Sequence, residues 1–356
     1  MPNELEDILP CARHAALAQE LAALADLGAA PALAERCSAH LRDLATRDLD
    51  GRLLTRLISS FNDRLVERVI ELTARRHRLP AVAWCWLALG SEGRDEQTFV
   101  SDQDNGLVFS AADRREADAL RELFLPFARD VNQQLAACGF ALCSGGIMAG
   151  NPAWCLALDE WREQFIEWVR RPDPQALLNA SIFFDLRPLC GTLALGAALR
   201  KLLQELTADT PAFLRMMAAN ALQVEVPLSF RGELVATGKG AAREIDLKKF
   251  GSRIFVDVAR IFALGAGTDS VNTSRRLQEA ASSVGLQAQE LAAVDAAFSH
   301  ILRLRLNHQA ALGAAATTAG HGVPLAGLHD IDRALLKESL KHAGRLQQRL
   351  KLNYDL

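Results

Sequence analysis

The 356-residue sequence contains no apolar run of the ~18 residues that a membrane-spanning helix needs, so no membrane is expected as partner. Its first residues, MPNELEDILPCARHA, carry acids where a signal peptide would be basic and apolar. The seven cysteines form no C-x-x-C pair, which argues against both a zinc site and a disulfide framework and fits a reducing cytoplasm. The eight histidines form no His-Glu-x-x-His motif, so a zinc hydrolase is not supported. Charge of one sign is also missing: 40 basic residues against 43 acidic ones leave a formal net charge of −3, and no DNA is expected as partner. GKGAAREI, around Lys239 and Arg243, lacks the G-x-x-x-x-G-K-[ST] spacing of a Walker loop. No repeat of fixed period stands out.

What is present is mostly helical. Up to about residue 78, apolar positions recur at three and four, as in LAQELAALADLGAAPALAERC and LLTRLISSFNDRLVERVIELTARR, and Pro80 closes that segment. AVAWCWLALG, bounded by Pro and Gly, reads as a buried strand, and NGLVFS as a second. READALRELFLPFARDVNQQLAACG reads as a helix closed by Gly139. A third strand is expected in FALCSGGIMAG, with Gly145, Gly146 and Gly150 marking a turn or a close backbone approach. Beyond about residue 175 helical spacing dominates, apart from a Gly- and Pro-containing hairpin or long loop in VEVPLSFRGELVATGKGAAREI. The expected fold class is α+β: a small mixed sheet flanked by helices, an N-terminal helical segment and a C-terminal helical bundle. The expected divisions are residues 1–78, 79–172 and 173–356.

Between the first two strands lies LALGSEGRDEQTFVSDQDNGLVFS. Side chains alternate along an extended chain, so Asp102 and Asp104 project together while Gln103 points away. Two adjacent carboxylates repel unless a cation lies between them, and hard oxygen ligands at that spacing suit Mg²⁺ or Mn²⁺ bound together with phosphates. Gly90 and Ser91 fall where a strand hands over to a helical turn, whose free amides and hydroxyl can cradle a phosphate. Arg94 can add a fixed cation there, and Glu96 lies close to the metal wall. Read alone, SDQDNG is also a plausible strand-entry turn. A two-metal transfer needs a further carboxylate, yet FALCSGGIMAGNPAW contains no acid.

GSEGRDEQTFVSDQDNGLVF resembles the signature of the nucleotidyltransferase superfamily related to DNA polymerase beta. Within it the sequence is similar to bacterial signal-transduction nucleotidyltransferases, relatives of the PII uridylyltransferase and the glutamine-synthetase adenylyltransferase. GGIMAGNPAW, ALLNASIFFDLRPLCG, EIDLKKFGSRIFVDVARIFAL and NTSRRL extend the resemblance over roughly residues 50 to 350, through a C-terminal substrate-binding domain. The resemblance implies an enzyme that moves a nucleoside monophosphate from an NTP, ATP or UTP, to an acceptor hydroxyl such as that of a regulatory protein. It implies Asp102 and Asp104 as catalytic metal ligands and Gly90, Ser91, Arg94 and Glu96 as nucleotide-binding residues. Asp185 is the best candidate for the third catalytic acid, because the adenylyltransferase relatives carry a similar Asp-x-Arg-x-x-Pro phrase there, and Glu96 is the second option. The competing reading is a non-catalytic, nucleotide-responsive interaction module with a degenerate transferase site.

Overall fold

The computed structural model describes residues 12–47, 49–313 and 321–356. In chain order the longer elements begin with helices α1 (Ala12–Ala23), α2 (Ala30–Ala45) and α3 (Gly51–Ala74). There follow strand β1 (Trp84–Ala88), the single turn α4 (Gly90–Gly93), β2 (Asn105–Phe109), α5 (Arg114–Ala137) and β3 (Cys155–Ala157). Next come α6 (Leu158–Arg170), α7 (Pro174–Phe183), β4 (Arg187–Gly191), α8 (Leu193–Ala208) and α9 (Pro211–Ala221). The remainder is β5 (Glu244–Asp246), α10 (Arg253–Ala266), α11 (Thr273–Ala280), α12 (Ala288–Leu312), β6 (Gly322–Pro324) and α13 (Asp330–Tyr354). Among the described residues, no helix is long and apolar enough to cross a membrane.

The fold is α+β, and its residues sort into two compact units. The first gathers the described residues up to 47 with 53–164 and 186–199. It contains a four-stranded mixed sheet in the order β3-β2-β1-β4, in which β1 runs antiparallel to both β2 and β4 and β2 runs parallel to β3. β1 reads as a continuous apolar run because both its faces are covered: Cys85, Trp86, Leu87 and Ala88 are fully buried, with Phe109, Phe124 and Phe127 in the same core. Trp161 is buried in this core and donates from Nε1 to the Leu107 carbonyl at 3.1 Å. α5 begins at an N-cap, Asp113, whose side chain accepts from the Glu116 amide, while Glu116 reaches back to the Ala112 amide. The N-terminal helices join this unit through aromatic contacts, with the His14 ring 4.6 Å from that of Phe61 on α3.

One strand expectation is corrected. FALCSGGIMAG makes no ladder, only an isolated parallel bridge between Asp102 and Ala141, because its glycines turn the chain: Gly146 sits at φ +67°. The strand beside β2 is instead the short β3 at Cys155, and β4 supplies a partner on the other edge of β1.

The second unit, residues 49–52, 165–185 and 200 onward, is largely helical. α10 is buried from Ile254 to Leu264 and packs against α9, α11 and α13, while α12 lies along α13. The expected hairpin region contains an antiparallel Leu228–Leu234 bridge and leads to β5, which pairs antiparallel with β6.

Candidate active site

The two aspartates sit at the entry to β2, and their geometry is fixed from behind by a buried amide network. Gln103, between them in sequence, is 2% exposed and donates from Nε2 to the carbonyls of Asn132 and Phe140. Asn132 donates to Gln103 Oε1 at 2.8 Å and to Asn105 Oδ1 at 3.0 Å. The amides of Ala149 and Gly150 donate to Asn105 Oδ1 and Asn132 Oδ1 in turn. These satisfied buried amides lock one register, and alternation then presents Asp102 and Asp104 on the opposite face, as the pattern predicts. Both aspartates are half-buried.

The turn α4 abuts this pair. The Leu89 amide donates to the Asp104 carbonyl at 2.9 Å, tying the end of β1 to the start of β2. Gly90 sits at φ +52°, and a Cβ there would lie 2.7 Å from Asp104 Oδ2. Only glycine fits so close to the carboxylate in the left-handed region.

Carboxylate oxygens of Asp102 and Asp104 and the Cys143 Sγ all lie within 4.8 Å of one another. Burial pushes the Cys143 thiol up, and Asp104 adds to the shift by its charge and a hydrogen bond. Two carboxylates at this spacing fit a divalent cation such as Mg²⁺ or Mn²⁺, with a sulfur donor beside the oxygen pair.

Behind the turn lies an ion cluster that the sequence reading missed. Arg187 of β4 donates to the Glu92 and Gly93 carbonyls and pairs with Asp63 at 2.9 Å and with Asp95 at 3.0 Å. Asp95 takes a left-handed φ of +58°, rare for a residue other than glycine. Glu92 is buried, and its Oε1 has no hydrogen-bond partner among the described residues. Burial first, then the charge of Asp63 and, after the opposing pull of Arg187, those of Asp104 and Asp95, push its carboxyl up to about 8.

The remaining expected residues fall in two places. Arg94 lies in the first unit but is largely buried, its Nε donating to Glu96 Oε2 at 2.9 Å, with the two side chains 12% and 4% exposed. The pair braces the turn before it offers a charge to any ligand. Asp185 belongs to the second unit and is fully buried. Both its oxygens accept from guanidiniums: Arg260 Nε at 2.9 Å, Arg260 Nη2 at 2.6 Å and Arg276 Nη1 at 2.5 Å. Both its oxygens are thus engaged by guanidiniums, the arrangement of a buried ion cluster rather than of an open metal ligand. In the first unit the third donor beside the aspartates is Cys143, within the very segment that contains no acid. A search of that segment for metal-ligating side chains rather than for carboxylates alone would have found it.

Residues 35–175 match the family described as "Putative nucleotidyltransferase", and residues 211–354 match the family described as "Putative nucleotidyltransferase substrate binding domain". No curated protein matches the chain.

Proposed function

Because the chain belongs to the nucleotidyltransferase family that also carries a substrate-binding domain, we propose that it moves a nucleoside monophosphate from ATP or UTP to an acceptor hydroxyl and releases pyrophosphate. The observation that carries this reading is the Asp102–Asp104 carboxylate pair abutting a turn that only Gly90 can make.

In this proposal Asp102 and Asp104 hold the divalent cation, Mg²⁺ or Mn²⁺, which when bound screens the triphosphate charge. The amides at Gly90 and Ser91 and the Ser91 hydroxyl take phosphate oxygens, and Arg94, with its Nε anchored on Glu96, completes that wall. The acceptor oxygen attacks the α-phosphorus and forms a new P–O bond as the bond from that phosphorus to the bridging oxygen of pyrophosphate breaks. A carboxylate oxygen of the aspartate pair takes the acceptor proton. The acceptor docks on the substrate-binding domain, and a protein hydroxyl in cytoplasmic signalling is the kind we favour.

The engagement of Asp185 by Arg260 and Arg276 favours a second reading, a nucleotide-responsive module without turnover. Incubation with each labelled NTP, Mg²⁺ or Mn²⁺ and host lysate separates the two. Label attached to a macromolecule supports the enzyme, whereas metal-dependent NTP binding without transfer supports the module.

A further inference from the structure

The second unit contains a cavity of about 320 Å³, near the lower end of the ~300–1,000 Å³ range of small-molecule sites. Its walls come from three separated stretches: the hairpin region around residues 233–243, the turn after β6, and the first half of α13. Among the described residues, three cationic side chains line it, Arg243, Arg333 and Lys337, against one carboxylate, Glu233. Arg333 and Lys337 are four residues apart on α13 and so share a helix face. Leu234 and Leu325, both buried, provide the apolar part of the lining.

The cations are positioned rather than merely nearby. Arg243 Nη2 donates to the Leu234 carbonyl at 3.1 Å, and Arg333 Nη2 donates to the Leu325 carbonyl at 2.9 Å. The Arg243 carbonyl in turn accepts from the Leu325 amide at 2.8 Å, joining two of the stretches. Arg333 Nε is a buried donor without a hydrogen-bond partner among the described residues. The fully exposed Asp330, 3.7 Å from Arg333 Nη1, compensates that charge only weakly. Lys337 pairs with Glu233 at 2.7 Å, a partly exposed ion pair that an incoming anion can displace. Planar guanidinium forks are suited to tetrahedral oxyanions, and the leucines leave room for an uncharged ring beside the anion.

We propose that this cavity binds a phosphorylated small molecule of about nucleoside-monophosphate size, without metal. Its described lining residues lie in the second unit, within the stretch matched to the substrate-binding domain, and none of them belongs to the Asp102–Asp104 site.

The test is calorimetric titration of the full chain, in EDTA, with AMP and with glucose 6-phosphate, inorganic phosphate serving as competitor. At least one of the two organic phosphates is expected to bind and to be displaced by inorganic phosphate. Its affinity should fall about tenfold or more in Lys337→Met and in Arg333→Met, as loss of a charge-assisted contact entails. It should rise in Glu233→Gln, which frees Lys337, and stay unchanged in the Asp102→Asn/Asp104→Asn double variant. Lys337→Met and Glu233→Gln alter partly exposed side chains, so they decide the matter even where Arg333→Met fails to fold. No binding of either organic phosphate at millimolar concentration would overturn the assignment. So would affinities indifferent to both Lys337→Met and Glu233→Gln, or binding abolished by the double aspartate variant.

Discussion

Replacing Asp185 by Asn removes the only charge from a fully buried carboxylate while keeping its shape. In the native protein that carboxylate accepts three guanidinium hydrogen bonds, at 2.9, 2.6 and 2.5 Å. Arg260 and Arg276 are themselves 3% and 2% exposed. After the change, Arg260 keeps Asp257 at 2.8 Å and Arg276 keeps the Ser270 and Phe184 carbonyls, but one buried positive charge is no longer balanced. The amide nitrogen of Asn, a donor, must also face a guanidinium, another donor. Breaking one partner of a buried ion pair costs about 3–5 kcal/mol, a large fraction of the stability of an ordinary domain. Urea unfolding followed by tryptophan fluorescence measures this directly. Trp168 is a suitable reporter in the same unit, buried with its ring 5.2 Å from Phe183. If Asp185→Asn unfolds at the wild-type urea concentration and instead loses only nucleotide transfer, the structural assignment is refuted and the carboxylate is catalytic.

Two further perturbations address the turn itself. Gly90→Ala places a Cβ 2.7 Å from Asp104 Oδ2 at φ +52°. It should cost ~1–2 kcal/mol from backbone strain alone and reduce the thermal shift given by Mg²⁺–NTP, and an unaltered shift in melts with and without ligand would contradict the close approach. Glu92 has a carboxyl pushed up to about 8, against 4.5 in the unfolded chain. Over that window the folded state binds more protons, so wild-type stability falls as pH rises, by at most ~1.4 kcal/mol per pH unit. Glu92→Gln should remove this slope and gain on wild type between pH 5 and 8 in EDTA, whereas parallel stability profiles would show that Glu92 ionises normally.

The parts of the site legible in the sequence are those set by local periodicity. β1, β2 and α5 follow from apolar runs and caps, and the common face of Asp102 and Asp104 follows from the alternation that buries Gln103. Illegible were the features decided by chain segments far apart. β4 lies where helical spacing dominates the sequence, and only its pairing with β1 makes it a strand. Arg187 reaches Asp63 across 124 residues of sequence, and Asp185 reaches Arg276 across 91. No local pattern records such partners, so the engagement of Asp185 by two guanidiniums could not be read from its sequence neighbourhood. Cys143 was overlooked for a different reason: a thiol carries no charge pattern, and its glycine-rich segment resembled a strand.

The central claim, a divalent cation held by Asp102 and Asp104 against a triphosphate, is tested most directly by thermal melts of the wild type and the Asp102→Asn/Asp104→Asn variant, each with and without Mg²⁺–NTP. The variant loses like-charge repulsion and keeps the shape of the site, so without ligand it should melt at or slightly above the wild-type temperature. Ligand at a hundredfold excess over its dissociation constant stabilises the wild type by ~2.7 kcal/mol through mass action, and that stabilisation should vanish in the variant. A wild-type shift that survives in the double variant, or no shift in either protein, contradicts the account.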